Sequence, residues 1–182
     1  KYGGKTNSMI GFIGAGNMAT ALVSSISGKR IVSDTRKKSL QKIKKLGVQV
    51  TSDNLEVVQK SSVIFLCVKP QDMDSVLKEI GSLGKGKLFV SIAAGVTLGK
   101  IQSLLKGAKV VRVMPNTPAL VGEMAAGYAL GKGVSRKEAA LVDRLLNAAG
   151  MAVKVKESQL DAVTGLSGSG PAFFAYLFDA FI

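Results

Sequence analysis

Met9-Ile10-Gly11-Phe12-Ile13-Gly14-Ala15-Gly16-Asn17-Met18-Ala19 reads as a short apolar run, a glycine turn and the first residues of a helical pattern. The apolar run predicts a strand that breaks at Gly14, with a helix starting just after Gly16. The small residues are spaced Gly-x-Gly-x-x-Ala, and each has a physical use. Gly14 permits a sharp turn, Gly16 leaves the backbone bare so that a pyrophosphate can approach it, and Ala19 lets the helix pack close to the strand. The helix N-terminus offers unpaired N–H groups to phosphate oxygens. The stretch is therefore a candidate dinucleotide site. A glycine turn that merely joins strand to helix has the same spacing.

Outward from that turn, strand and helix alternate. Met18, Ala19, Leu22, Val23 and Ile26 recur at helical spacing, and Gly28 is the expected stop. Residues 29–33 form a short second strand. Leu40, Ile43 and Leu46 mark one face of a second helix whose other face is lysine, ended by Gly47. Residues 48–50 predict a minor strand, and Asp53-Asn54-Leu55-Glu56 has capping-box spacing. Residues 62–68 are apolar at nearly every position, as a central parallel strand is, and Lys69-Pro70 ends them. Further strands are expected at 88–93, 110–114, 126–130 and 151–155. Between them lie helices carrying Met73, Val76, Leu77 and Ile80, then Leu98, Ile101, Leu104 and Leu105 after Thr97, and a last one opened by a second capping box, Ser135 to Glu138. The pattern predicts a Rossmann-like, doubly wound, mostly parallel sheet with helices on both faces. Ligands of such sheets bind beyond the carboxyl ends of the strands, at the point where strand order reverses.

Composition narrows the function classes. The 182 residues carry a net charge of +13, yet the lysines are dispersed, and three Tyr and no Trp leave little for bases to stack on. Nucleic acid is not the expected partner. The one cysteine, Cys67, cannot form a disulfide within the chain, and with no histidine and no ligand cluster no metal site is expected. No apolar run reaches the roughly 20 residues of a membrane span, so no membrane partner is expected and the default compartment is cytoplasmic. Residues 1–8 have no periodicity and read as a tag remnant. Residues 9–160 read as the dinucleotide-binding domain, and 161–182 as a small-residue hinge followed by the first helix of a helical domain. That helix, Ala172 to Ile182, is apolar nearly all round and holds four of the seven phenylalanines, so another surface must bury it.

Five motifs, in order, resemble pyrroline-5-carboxylate reductase: residues 11–19, Val68-Lys69-Pro70-Gln71, residues 91–97, Arg112-Val113-Met114-Pro115-Asn116-Thr117-Pro118-Ala119, and residues 161–172 with Leu166-Ser167-Gly168-Ser169-Gly170-Pro171 at their centre. The first is shared with many dehydrogenases; the last two are far more specific. The resemblance implies reduction of 1-pyrroline-5-carboxylate to L-proline by hydride transfer from NAD(P)H, the last step of proline biosynthesis. It implies cofactor contacts at Ile13, Gly14, Ala15, Gly16, Asn17, Met18, Ser33, Arg36, Asn54, Cys67, Val68, Lys69, Pro70, Ile92, Ala93, Ala94 and Asn116. It also implies a homodimer or higher homo-oligomer through C-terminal helices, and a chain that continues into a helical dimerisation domain with a substrate-holding Ser-Pro-Gly-Gly-Thr-Thr-like stretch.

On the substrate side the candidates are Asn116, in a rigid loop between prolines, and Ser167 and Ser169, on a Gly-rich segment opening a helix. The catalytic proton donor is left unassigned. Asp34 lies about twenty residues beyond the glycine turn, where an acid binds the ribose of NAD. Ser33, Thr35, Arg36, Lys37 and Lys38 surround it, and hydroxyls and cations suit the 2′-phosphate of NADP. NADPH is the expected cofactor, with NADH usable, and Asp34 is explained as the cap of the next helix. Two alternatives stay open: a catalytically incomplete NADP-binding module, and another NADP-dependent reductase of β-hydroxyacid dehydrogenase-like architecture.

Overall fold

A computed structural model describes residues 9–182; the expected tag remnant lies outside them. Eight strands form one sheet in the order β3-β2-β1-β4-β5-β6-β7-β8. β1 (Ile10–Ile13), β2 (Arg30–Ser33), β3 (Gln49–Thr51), β4 (Val63–Leu66), β5 (Leu88–Ser91) and β6 (Lys109–Met114) run parallel. β7 (Met124–Leu130) is antiparallel to β6, and β8 (Gly150–Lys154) is parallel to β7 at the edge.

β1, β4 and β5 are buried at every position, which requires cover on both faces. Successive side chains alternate between the faces. Phe12 and Phe65, opposite each other in the β1–β4 register, stack at 4.9 Å on the face covered by α1 (Asn17–Ser25) and α6 (Arg136–Asn147). Ile13, Ile64, Leu66 and Phe89 point to the other face, under α3 (Asn54–Lys60), α4 (Met73–Ile80) and α5 (Leu98–Leu104). α2 (Lys37–Lys44) buries Ile43 alone, and Leu46 is 36% exposed beyond its end. Its lysine-rich remainder forms a wall rather than a core face.

Helix ends follow the capping expectations in part. Ser135 and Glu138 form the full reciprocal box of α6. Asp53 accepts from the N–H groups of Leu55 and Glu56, but Glu56 turns away to Lys60 and Gln49, so that box is half made. α1 ends at Ser25, with Ile26 as its C-cap, before Gly28 is reached.

The segment expected as a hinge is helical instead. α7 (Leu160–Val163) runs into a π-helical turn, Thr164–Gly168, and then α8 (Gly170–Asp179). The hydroxyls of Thr164 and Ser167 donate back to the carbonyls of Leu160 and Val163. Gly168 serves close approach, whereas Gly165 and Gly170 have open space around an added Cβ. A Cβ on Gly168 would lie 2.8 Å from Met114 Cε of β6, and one on Gly127 of β7 would lie 2.8 Å from Val163.

Arg112 locks the same arm to the sheet. Buried on β6, it reaches Glu157 at 3.3 Å and Asp161 at 3.8 Å, while Glu157 Oε1 also accepts from the Leu98 N–H at the start of α5. Arg112→Met keeps the apolar stem and loses the fork. Because Glu157 and Asp161 are partly or largely in solvent, the expected loss is about 1–2 kcal/mol rather than the larger cost of a fully buried pair. It is read as a lower urea midpoint together with faster tryptic cleavage after Lys154 and Lys156. Among the described residues no helix is long and apolar enough to cross a membrane, and no group of His, Cys, Asp or Glu could hold a metal ion.

Candidate functional site

The chain leaves β1 outward through β2 and β3, then returns past β1 to β4. The loops following β1 and β4 therefore part in opposite directions and open a crevice between them. A cleft of about 1340 Å³ lies there.

Its floor is the glycine turn. The Gly14 N–H donates to Ser33 O at 2.7 Å, and the Cys67 N–H donates to Ile13 O at 2.8 Å, strapping the turn between β2 and β4. Gly14 has φ +102°, and a Cβ there would stand 2.8 Å from the Cys67 carbonyl carbon and oxygen. Gly16 differs: its φ of −74° and ψ of −178° are open to any residue, and nothing lies within 4 Å of an added Cβ. The protein's own packing does not require glycine at position 16. The bare Cα leaves room for something else. The first turn of α1 has no side-chain cap and no acidic residue. The N–H groups of Asn17, Met18 and Ala19 have no protein acceptor among the described residues. A ledge without side chains beneath free amides suits phosphate oxygens.

Cations line the β2 side: Arg36, Lys38, Lys42 and Lys45 face the cleft, with Lys69 after β4. On the floor of that side the Ser33 hydroxyl donates to Asn54 Oδ1 at 2.7 Å, and Asn54 Nδ2 donates to Glu79 at 2.8 Å. Asp34 is not the cap of α2, whose N-cap is Arg36. It turns toward the glycine turn, accepting from the Ala15 N–H at 2.8 Å, and is gripped by Arg36. Burial pushes the Asp34 carboxyl up, but the hydrogen bonds from Arg36 and Ala15 and the attraction of the guanidinium outweigh it and hold the group below the ordinary carboxylate range.

A carboxyl whose folded pKa is depressed adds stability above its unfolded value, about 3.9, and loses it as pH falls through the lower folded value. Thermal melts of wild type and Asp34→Asn should therefore differ at neutral pH and converge in strong acid. A gap that persists unchanged in strong acid would sink this assignment.

The expected site residues divide into two groups. Ile13, Gly14, Ala15, Gly16, Asn17, Arg36, Asn54, Cys67, Val68 and Lys69 line the cleft. The others do not line it. Ser33 is buried behind Asn54, Met18 packs partly on the core, and Pro70 opens the exposed turn before α4. Ile92, Ala93 and Ala94 follow the carboxyl end of β5, Ala93 being buried. Asn116, also buried, follows β6 and accepts from the Ala125 N–H at 2.9 Å, so its carbonyl is committed to holding β7. Ser167 and Ser169 sit half-buried on the helical arm rather than on a loop. Burial pushes the Cys67 thiol far up, which keeps it neutral. The cleft also contains Thr35 and Lys38, read in the sequence as suited to a 2′-phosphate, and groups that sequence reading left out: Thr20, Lys42, Lys45, Gln71, Ser75 and Glu79. The recurrence of Lys38, Lys42 and Lys45 at helical spacing was the available signal for the basic wall.

Comparison with known proteins supplies the rest. Residues 9–95 match the family described as NADP oxidoreductase coenzyme F420-dependent, and residues 157–182 match pyrroline-5-carboxylate reductase dimerisation. A pyrroline-5-carboxylate reductase of Methanosarcina acetivorans is 44% identical over 96% of this chain and 68% of its own length. The solved pyrroline-5-carboxylate reductase of Coxiella burnetii superposes with a TM-score of 0.90 at 32% identity, covering 96% of this chain and 69% of that one. A Plasmodium falciparum pyrroline carboxylate reductase with NADP bound gives 0.86 at 33%, covering 96% and 67%. The chain spans about two thirds of the length of these relatives, and 58–66% of other curated ones.

Proposed function

The chain belongs to the pyrroline-5-carboxylate reductase family, and on that premise we propose that it reduces the C=N bond of 1-pyrroline-5-carboxylate to give L-proline, with NADPH as hydride donor. The observation that carries this reading is the Gly14–Gly16 turn at the strand-order reversal, with open space over Gly16 and free amides at the start of α1. NADPH, when bound, supplies the hydride.

The chain's own residues do the rest. The amides of Asn17 and Met18 hold the pyrophosphate, and Arg36 with the α2 lysines neutralises charge at the adenosine end. Lys69 adds a cation beside the turn. Ile92, Ala93 and Ala94, at the carboxyl end of β5, next to β4, support the nicotinamide. Asn116 offers its Nδ2, since its Oδ1 is engaged by Ala125. Ser167, in the π-helical turn, and Ser169, the N-cap of α8, are the groups assigned to the substrate carboxylate. Burial holds the Cys67 thiol neutral, so it is a poor acid for the imine nitrogen. Hydride delivery to the ring carbon, with a proton reaching the nitrogen from a donor left unassigned, completes the reduction. The working form is a homo-oligomer assembled through the helices that begin at residue 161, with 9–160 as the dinucleotide-binding unit.

The test follows NADPH absorbance with pyrroline-5-carboxylate added, then with NADH in its place, and quantifies proline. Rapid oxidation with stoichiometric proline is expected, faster with NADPH. Tight NADPH binding without turnover would overturn the reductase reading of this chain in favour of the NADP-binding module and leave the cofactor cleft standing.

A further inference from the structure

The acid after β2 is the residue that, in a dinucleotide fold, ordinarily accepts the ribose hydroxyls and so favours the unphosphorylated cofactor. Here that acid is fully engaged by the protein. Asp34 Oδ2 accepts from the Ala15 N–H at 2.8 Å and Arg36 Nη2 at 3.1 Å. Oδ1 accepts from the Arg36 N–H at 2.8 Å and Arg36 Nε at 3.1 Å. A carboxylate has about four lone-pair sites, and four protein donors fill them. The Asp34 side chain is 7% exposed, while that of Arg36 is 63% exposed and lies across it. Arg36 thus covers the acid and cancels its charge. Its Nη1 is not used in the pair, and Lys38, Lys42 and Thr35 line the same wall.

We propose that Asp34 is a positioning residue rather than a ribose acceptor, and that the Asp34–Arg36 pair selects a 2′-phosphorylated adenosine: Asp34 aims the guanidinium and anchors the glycine turn, and Arg36 both masks the acid and meets the phosphate. The inference rests on reading the cleft as a dinucleotide site and goes beyond it in assigning the source of selectivity. It reverses the usual logic of the position. Removing the acid does not improve the fit of the phosphate, because the acid is what holds the arginine. Removing the arginine exposes a carboxylate that can take ribose hydroxyls and that repels the phosphate.

Calorimetric titration with adenosine 2′,5′-bisphosphate and with adenosine 5′-monophosphate tests this without turnover. Wild type should prefer the bisphosphate. In Arg36→Ala, bisphosphate affinity should fall about tenfold to a hundredfold, the worth of a charge-assisted contact, while monophosphate affinity holds or rises. Arg36→Lys, a cation without the fork, should recover part of the preference. In Asp34→Asn both affinities should fall together, since the turn and the arginine loosen at once. Tighter bisphosphate binding by Asp34→Asn, or an unchanged preference in Arg36→Ala, would overturn the proposal. Neither nucleotide carries a part that faces the pyrroline, so failure to reduce pyrroline-5-carboxylate with nucleotide selectivity intact would count against the reaction alone.

Discussion

Gly14→Ala is expected to lower folding stability by roughly 2–6 kcal/mol and to abolish measurable NADPH binding. Two costs combine. At φ +102° an L side chain is strained, which costs about 1–3 kcal/mol. The new Cβ would also stand 2.8 Å from the Cys67 carbonyl carbon and oxygen. That neighbour is backbone of the segment leaving β4 and cannot swing aside, so relief requires separating the turn from the strand, at about 1–3 kcal/mol for overpacking. Against a typical total stability of about 5–15 kcal/mol this is a large fraction. The movement also breaks the bond from the Cys67 N–H to Ile13 O that sets the cleft floor. Gly16→Ala is the control that separates fold from function. With an ordinary φ and open space around the added methyl, its denaturation midpoint should match or slightly exceed wild type, while NADPH affinity falls because the methyl occupies phosphate space. Denaturation midpoints and nicotinamide fluorescence titrations of the two variants decide the matter. Equal midpoints for Gly14→Ala and wild type, or undiminished binding by Gly16→Ala, would contradict it.

The sheet and its crevice were legible because local and global signals agree there. The glycine turn, the fully apolar β4 and the regular alternation of periods two and 3.6 each point to a doubly wound sheet. The turn's position at the first strand–helix junction then places the cleft. The antiparallel β7 was less visible. Residues 126–130 read as a strand but carry no direction. The cue is the connection after Met114, which holds a short 3₁₀ turn at Thr117–Val121 and no helix. A parallel return needs a crossover of a dozen or more residues, so the short link forces the reversal.

Asp34 shows a different limit. Next to a helix start, an aspartate reads equally as a cap, a ribose acceptor or an arginine partner, because all three use the same oxygens. Which one prevails depends on where the Ala15 N–H points, and that is set by the turn across β1 and β2 rather than by neighbouring residues. Residues 162–171, expected as a hinge, have helical backbone, which the sequence hid for a related reason. Small residues are compatible with a flexible link and with tight helical docking alike, and the choice lies with distant partners, Met114 and Gly127. Asn116 was read as a substrate-side candidate, yet half of its side chain serves β7, a bond that spans nine positions and leaves no periodic trace.

α8 carries the second large effect. Phe173, Phe174, Tyr176 and Phe178 on α8, and Phe181 just beyond its end, are between 61% and 80% exposed. Burying such a side chain fully is worth about 1.5–3 kcal/mol, so a segment presenting five of them favours association strongly, and residues 157–182 match the family's dimerisation region. The protein is therefore expected to sediment as assemblies whose size rises with concentration. Phe174 and Phe178 are one turn apart, with ring centroids at 6.5 Å, and form a single apolar ridge. Replacing both by glutamate removes about 4 kcal/mol of burial and adds two charges to be desolvated, which weakens association by about a thousandfold or more. Neither ring touches the cleft, so NADPH affinity should be unchanged in the double variant. If the wild type stays monomeric at every concentration, or the double variant sediments identically to it, α8 is not the association surface. If instead association and NADPH binding fall together, the arm that Arg112 and Gly168 dock onto β6 is coupled to the crevice, and the oligomer stabilises the cofactor site as well as covering the helix.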